Sequence, residues 1–135
     1  MKRILFVCIE NAGRSQMAEA FGKKYGENKF IISSAGNKPA DKINPVVVEV
    51  MKEKGFDISV NKPKQITAQM AVDQDLIVTL GYKDQGICPG PFFKPTIDWE
   101  LEDPKGKPIE KVRIIRDEIE RRVKQLITQP TAAGL

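Results

Sequence analysis

A chain of 135 residues is long enough to bury one real core and too short for two. Its 41% hydrophobic and 30% charged content excludes a disordered chain, and no apolar run approaches the roughly 20 residues of a membrane span. The net charge of +4 comes from basic residues mixed with acids, as in Lys52-Glu53-Lys54 and Arg116-Asp117-Glu118, which reads as solvated helix faces rather than a nucleic-acid-binding stripe.

The first element is Ile4 to Val7, a continuous apolar run of the kind found in buried parallel strands. After Met1-Lys2-Arg3 this run is too brief for the core of a signal peptide, so a cytoplasmic protein is expected. Ser15 to Tyr25 predicts a helix with Met17, Ala18, Phe21 and Tyr25 on one face, ending near Gly26. Phe30-Ile31-Ile32 predicts a second strand, stopped at Ala35-Gly36. Asn44-Pro45 is a cap with proline at the first helical position, and Gly55 is the stop of that helix, with Val47, Val48 and Met51 as its apolar stripe. Thr67 can cap a short helix over Ala68 to Val72, and Leu76 to Leu80 is the clearest strand in the chain. Gly81 to Phe93 reads as loop, followed by a short strand near Thr96 to Trp99. The last helix, about Ile109 to Ile127, places Val112, Ile115, Ile119, Val123 and Leu126 on one stripe, and residues 129–135 are expected to fray beyond a single domain over 1–128.

Strands alternating with helices imply an α/β domain with a small parallel sheet covered on both faces. Ligands of such sheets bind at the carboxyl ends of the strands, where strand order reverses. Two cysteines, Cys8 and Cys88, cannot build a disulfide scaffold, and the absence of histidine removes His–Ser and His–Cys catalytic pairs and most zinc sites. No metal and no resident cofactor are expected.

At the end of the first strand stands Cys8-Ile9-Glu10-Asn11-Ala12-Gly13-Arg14-Ser15, with a helix directly after. A cysteine, five residues and an arginine let a loop curl around a tetrahedral anion, with the amides of Ile9, Glu10, Asn11, Ala12, Gly13, Arg14 and Ser15 turned inward and a helix N-terminus adding its positive end. The same field favours thiolate over thiol, which makes Cys8 a nucleophile. Arg14 can clamp two oxygens of the anion, Ser15 can donate to the thiolate, and Asn11 can brace the loop from within. The bland alternative is a structural thiol and a surface arginine at chance spacing. The strand before, the Asn and Gly inside and the helix behind weigh against it.

The stretch from Cys8 to Ala20 resembles the signature loop and first helix of the low-molecular-weight tyrosine phosphatases and their thioredoxin-coupled arsenate reductase relatives. The resemblance continues through Ser34-Ala35-Gly36, Asn44-Pro45, Gly55 to Ser59, Leu76 to Thr79 and Asp98 to Pro104, nearly the whole chain in order. It implies a four-stranded parallel sheet flanked by helices, and it implies that Asp103, held by Pro104, is the general acid. Spacing alone leaves Asp98, Glu100 and Glu102 as competitors. Phosphatases of this fold usually carry aromatic residues after the Asp-Pro, whereas this chain has Lys105-Gly106-Lys107. Cys88, in Gly86 to Gly90, is placed by the resemblance where a thiol could resolve an arsenylated Cys8.

The resemblance therefore implies an arsenate reductase, with a tyrosine or small-ester phosphatase as the alternative. The expected partners are arsenate or phosphate and an external reductant, either thioredoxin, a glutaredoxin-like protein or a small thiol, acting on a monomer. Two departures stand out. The further cysteine usual between the third strand and Cys88 is missing, with Gly81 to Asp84 there instead, and Glu10 puts a carboxylate into the anion loop, which should weaken binding unless it points outward.

Overall fold

The computed structural model describes residues 1–81 and 96–135. Strands β1 (Lys2–Cys8), β2 (Phe30–Gly36), β3 (Leu76–Leu80) and β4 (Thr96–Trp99) form one sheet in the order β2-β1-β3-β4, and every pairing is parallel. Helices α1 (Arg14–Tyr25), α2 (Pro45–Glu53), α3 (Ala68–Val72) and α4 (Ile109–Thr128) connect or follow them. The chain leaves β1 for β2 on one side and then returns from β2 past β1 to β3 on the other, so the order reverses beside the C-terminal end of β1. That end is Cys8.

Residues alternate along β1 between two cores. Ile4, Phe6 and Cys8 face a large cluster with Met17, Ala18 and Phe21 of α1, Val47, Val50 and Met51 of α2, and the α4 stripe. Leu5, Val7 and Ile9 face a smaller cluster that includes Ala35 and Ile77 and is covered by Ile66 and by Met70 and Ala71 of α3. Both faces of β1 are thus dry, which is why its sequence reads as an unbroken apolar run. Val112, Ile115, Ile119, Val123 and Leu126 of α4 are all buried, and each contributes about 1.5–3 kcal/mol of transfer free energy.

The caps expected from sequence form. Asn44 Oδ1 accepts from the Val46 amide at 3.0 Å, and Thr67 Oγ1 accepts from the Met70 amide at 3.1 Å. The α2 stripe differs by one position. Val50 is fully buried and Val48 only half-buried, because a helical period from Val47 passes through i+3 and i+4. Residues 129–135, expected to fray, include a 3₁₀ turn over Pro130–Ala133, and Ala133 and Leu135 pack against the larger core. Among the described residues no helix is long and apolar enough to cross a membrane.

Candidate functional site

The loop between β1 and α1 curls because its peptide planes are tied from outside. The carbonyls of Ile9, Glu10 and Ala12 accept from the amides of Lys38 (2.9 Å), Ala40 (3.0 Å) and Asn44 (2.9 Å). Carbonyls turned outward leave the amide sides of those planes toward the interior of the loop. Asn11, at φ +51, supplies the left-handed step that such an anion-binding concavity requires. The first turn of α1 carries no acidic residue and no side-chain cap, so its dipole end is not quenched from within the helix.

Behind the loop lies a buried polar chain. The Lys64 amide and Gln16 Nε2 both donate to Asn11 Oδ1, at 2.9 and 3.0 Å, which fixes the orientation of that amide because a backbone N–H can only donate. Asn11 Nδ2 then gives its two hydrogens to Ser15 Oγ at 2.7 Å and Ser34 Oγ at 3.0 Å. Ser34 donates onward to the buried Glu19 carboxylate, which Lys23 and Lys64 neutralise. Ser15 Oγ, already accepting from Asn11, has its own proton to give to Cys8 Sγ 2.8 Å away. The polarity of the chain therefore suits a sulfur that accepts. Asn11 and Ser15 brace the loop from behind rather than lining the cleft.

The cleft in front, of about 380 Å³, is lined by Cys8, Ile9, Glu10, Ala12, Gly13 and Arg14, by residues before and at the cap of α2, and by Asp103 to Gly106. Arg14 is 4% exposed, and its Nη1 donates to the Leu101 carbonyl at 2.7 Å while Nη2 stands 3.8 Å from Asp103 Oδ2. One guanidinium nitrogen is thus committed to the backbone, a contact absent from the sequence reading. Pro104 packs directly on Gly13, where an added Cβ would meet its Cγ at 3.0 Å.

Of the four acids that spacing left open, Asp103 is the one at the cleft. Asp98 accepts from Thr79 Oγ1 within the sheet, and Glu102 pairs with Lys107 and Lys111 outside it. Glu10 is paired rather than bare, with its Oε1 2.9 Å from Lys105 Nζ. That hydrogen bond and charge hold the Lys105 ammonium above its ordinary lysine range, with Asp103 adding to the effect. Cys88 lies outside the described residues.

Gly81 is a further positioning element that the sequence did not reveal. It ends β3 at φ +81, and a Cβ there would overlap Arg14 Nη1 and come within 2.8 Å of the Leu101 carbonyl. Gly81→Ala should therefore displace the guanidinium and cost about 1–3 kcal/mol of stability. Thermal melts with and without phosphate check this, and an unchanged phosphate-induced shift would show that Arg14 has not moved.

The profile of the family described as low molecular weight phosphotyrosine protein phosphatase matches residues 3–133. The chain is 42% identical to an arsenate reductase of Brevibacillus brevis, over 92% of each chain. It is 35% identical to a glutaredoxin arsenate reductase of Synechocystis sp., covering 96% of this chain and 98% of that one. A solved structure described as an arsenate reductase in the phosphate binding state superposes with a TM-score of 0.85 at 35% identity, covering 96% and 98% of the two chains.

Proposed function

The chain belongs to the low molecular weight phosphotyrosine protein phosphatase family, and within that family we propose that it is an arsenate reductase. The observation that carries this reading is Cys8 Sγ at the end of β1, beneath a loop whose Ile9, Glu10 and Ala12 carbonyls are tied outward, and 2.8 Å from a serine hydroxyl able to donate to it. The names of the relatives at 35% and 42% identity support the choice of substrate. So does the lining of the cleft, where none of the described residues is aromatic.

In this reading the Cys8 thiolate attacks arsenic(V), and one As–O bond breaks. The oxygen leaves as water, with a proton from Asp103, while Arg14 and the loop amides hold the remaining oxygens. A second thiol then attacks Cys8 Sγ. The S–As bond breaks with its electron pair moving to arsenic, which leaves as arsenite, and the two sulfurs remain as a disulfide. The second thiol is Cys88 or an external donor, and thioredoxin, a glutaredoxin-like protein or a small thiol restores Cys8. No resident cofactor enters the scheme.

Turnover with arsenate, followed by alkylation and mass measurement, tests the proposal. A Cys8–Cys88 disulfide, or Cys8 joined to the donor thiol, is expected. Cys8 left fully open to alkylation after arsenate, with each class of donor kept limiting so that the oxidised form is not reduced back, would refute it. Cys88→Ser run in parallel separates the two routes, since only the internal one stops.

The alternative, an ester phosphatase, draws on the same Asp103 beside Arg14. Asp103→Asn is expected to slow hydrolysis of an aryl phosphate with a poor leaving group about 10²-fold or more, and one with a good leaving group far less. Equal losses on both would make Asp103 structural.

A further inference from the structure

Glu10 and Lys105 stand 95 residues apart in sequence, one in the anion loop and one just past the Asp103-Pro104 turn, and both line the cleft. An exposed ion pair between free side chains contributes little, because two long side chains must be ordered to make it. Here both backbones are already pinned. The Glu10 carbonyl accepts from the Ala40 amide at 3.0 Å, and the Lys105 amide donates to Asp103 Oδ1 at 3.0 Å. Pro104, between them, rests on Gly13.

We infer that the Glu10–Lys105 pair is a specificity determinant, a strap across the mouth of the cleft that admits small inorganic oxyanions and turns away aryl esters. The inference rests on the reading of this cleft as an oxyanion site. The pair ties the anion loop to the Asp103 turn, and an ester leaving group must project toward Asp103 if that residue is to protonate it. It also resolves the apparent conflict of a carboxylate in an anion loop. Glu10 is held toward Lys105, so its charge is compensated at 2.9 Å instead of falling on the anion. Removing either partner opens the mouth, but the two removals shift the local charge in opposite directions. That difference separates a strap from a simple electrostatic effect.

The test uses the full chain and follows alkylation of Cys8 by iodoacetamide against rising inorganic phosphate or phenylphosphonate. Neither anion needs a reductant, so the outcome is independent of whether the protein reduces arsenate. The parent should be protected by lower phosphate than phenylphosphonate. Glu10→Gln should strengthen phosphate protection and Lys105→Met should weaken it. Both should nevertheless shift the phenylphosphonate-to-phosphate affinity ratio toward the aryl anion, by about threefold or more. The exchanged pair, Glu10→Lys with Lys105→Glu, should return the ratio to that of the parent. An unchanged ratio in both single variants, or an exchanged pair that behaves like them, would overturn the strap. Failure of both anions to protect the parent would overturn the oxyanion-site reading itself, and the strap with it.

Discussion

Cys8→Ser is expected to abolish arsenate reduction and any aryl phosphate hydrolysis, each by about 10⁴-fold or more. Cys8 ends β1 where, among the described residues, the sheet reverses order, and it is 3% exposed and lines the cleft. A serine there would keep the fold, because it replaces sulfur by a smaller atom within hydrogen-bond reach of Ser15. It would not supply a nucleophile, since a hydroxyl ionises far less readily than a thiol and the described residues around it provide no histidine base. Steady-state rates on both substrates, with a melt to show that the variant is folded, check the result. Either activity near the parent level would remove Cys8 from the mechanism.

Arg14→Lys should cost about 10²–10³-fold in turnover, the scale of losing one preorganised donor to a developing anion. Arginine does two things here that an ammonium cannot do together. Nη1 fixes the Leu101 carbonyl at 2.7 Å, and the planar fork directs its remaining N–H groups elsewhere at fixed angles. A lysine must choose, and a buried carbonyl left without its donor costs a further 1–3 kcal/mol or so of stability. The variant should therefore bind phosphate weakly and also melt earlier. Parent-like phosphate affinity, read by protection of Cys8 from alkylation, would place the anion away from Arg14.

The parts of this site that were legible in the sequence are those written in local pattern. The apolar run before Cys8, the five-residue spacing to Arg14 and the helix after it locate the cradle, and the Asn44-Pro45 cap is read from two adjacent residues. What was not legible depends on contacts across the chain. Gln16 and Glu19 look like an ordinary polar face of an amphipathic helix, yet both are buried because Asn11, Ser34 and Lys64 converge on them from three other segments. The anchor of Arg14 is a backbone carbonyl, which no side-chain pattern announces. In the sequence Gly81 marks only a missing cysteine, whereas its structural part is the space it leaves for Arg14. Glu10 reads in sequence as a flaw in an anion loop, and only the fold brings Lys105 beside it.

Arsenate reduction and ester cleavage would draw on the same cradle, and the choice between them can be measured. One measurement bears on it directly: the same preparation is given arsenate and 4-nitrophenyl phosphate, with thioredoxin, glutaredoxin and small-thiol systems present in turn. Arsenite formed and phosphate released are then compared as kcat/KM. The expectation for a reductase is catalytic arsenite formation with at least one donor, lost in Cys8→Ser, at an efficiency above that for the ester. Ester hydrolysis through Cys8 with no arsenite from any donor would contradict it.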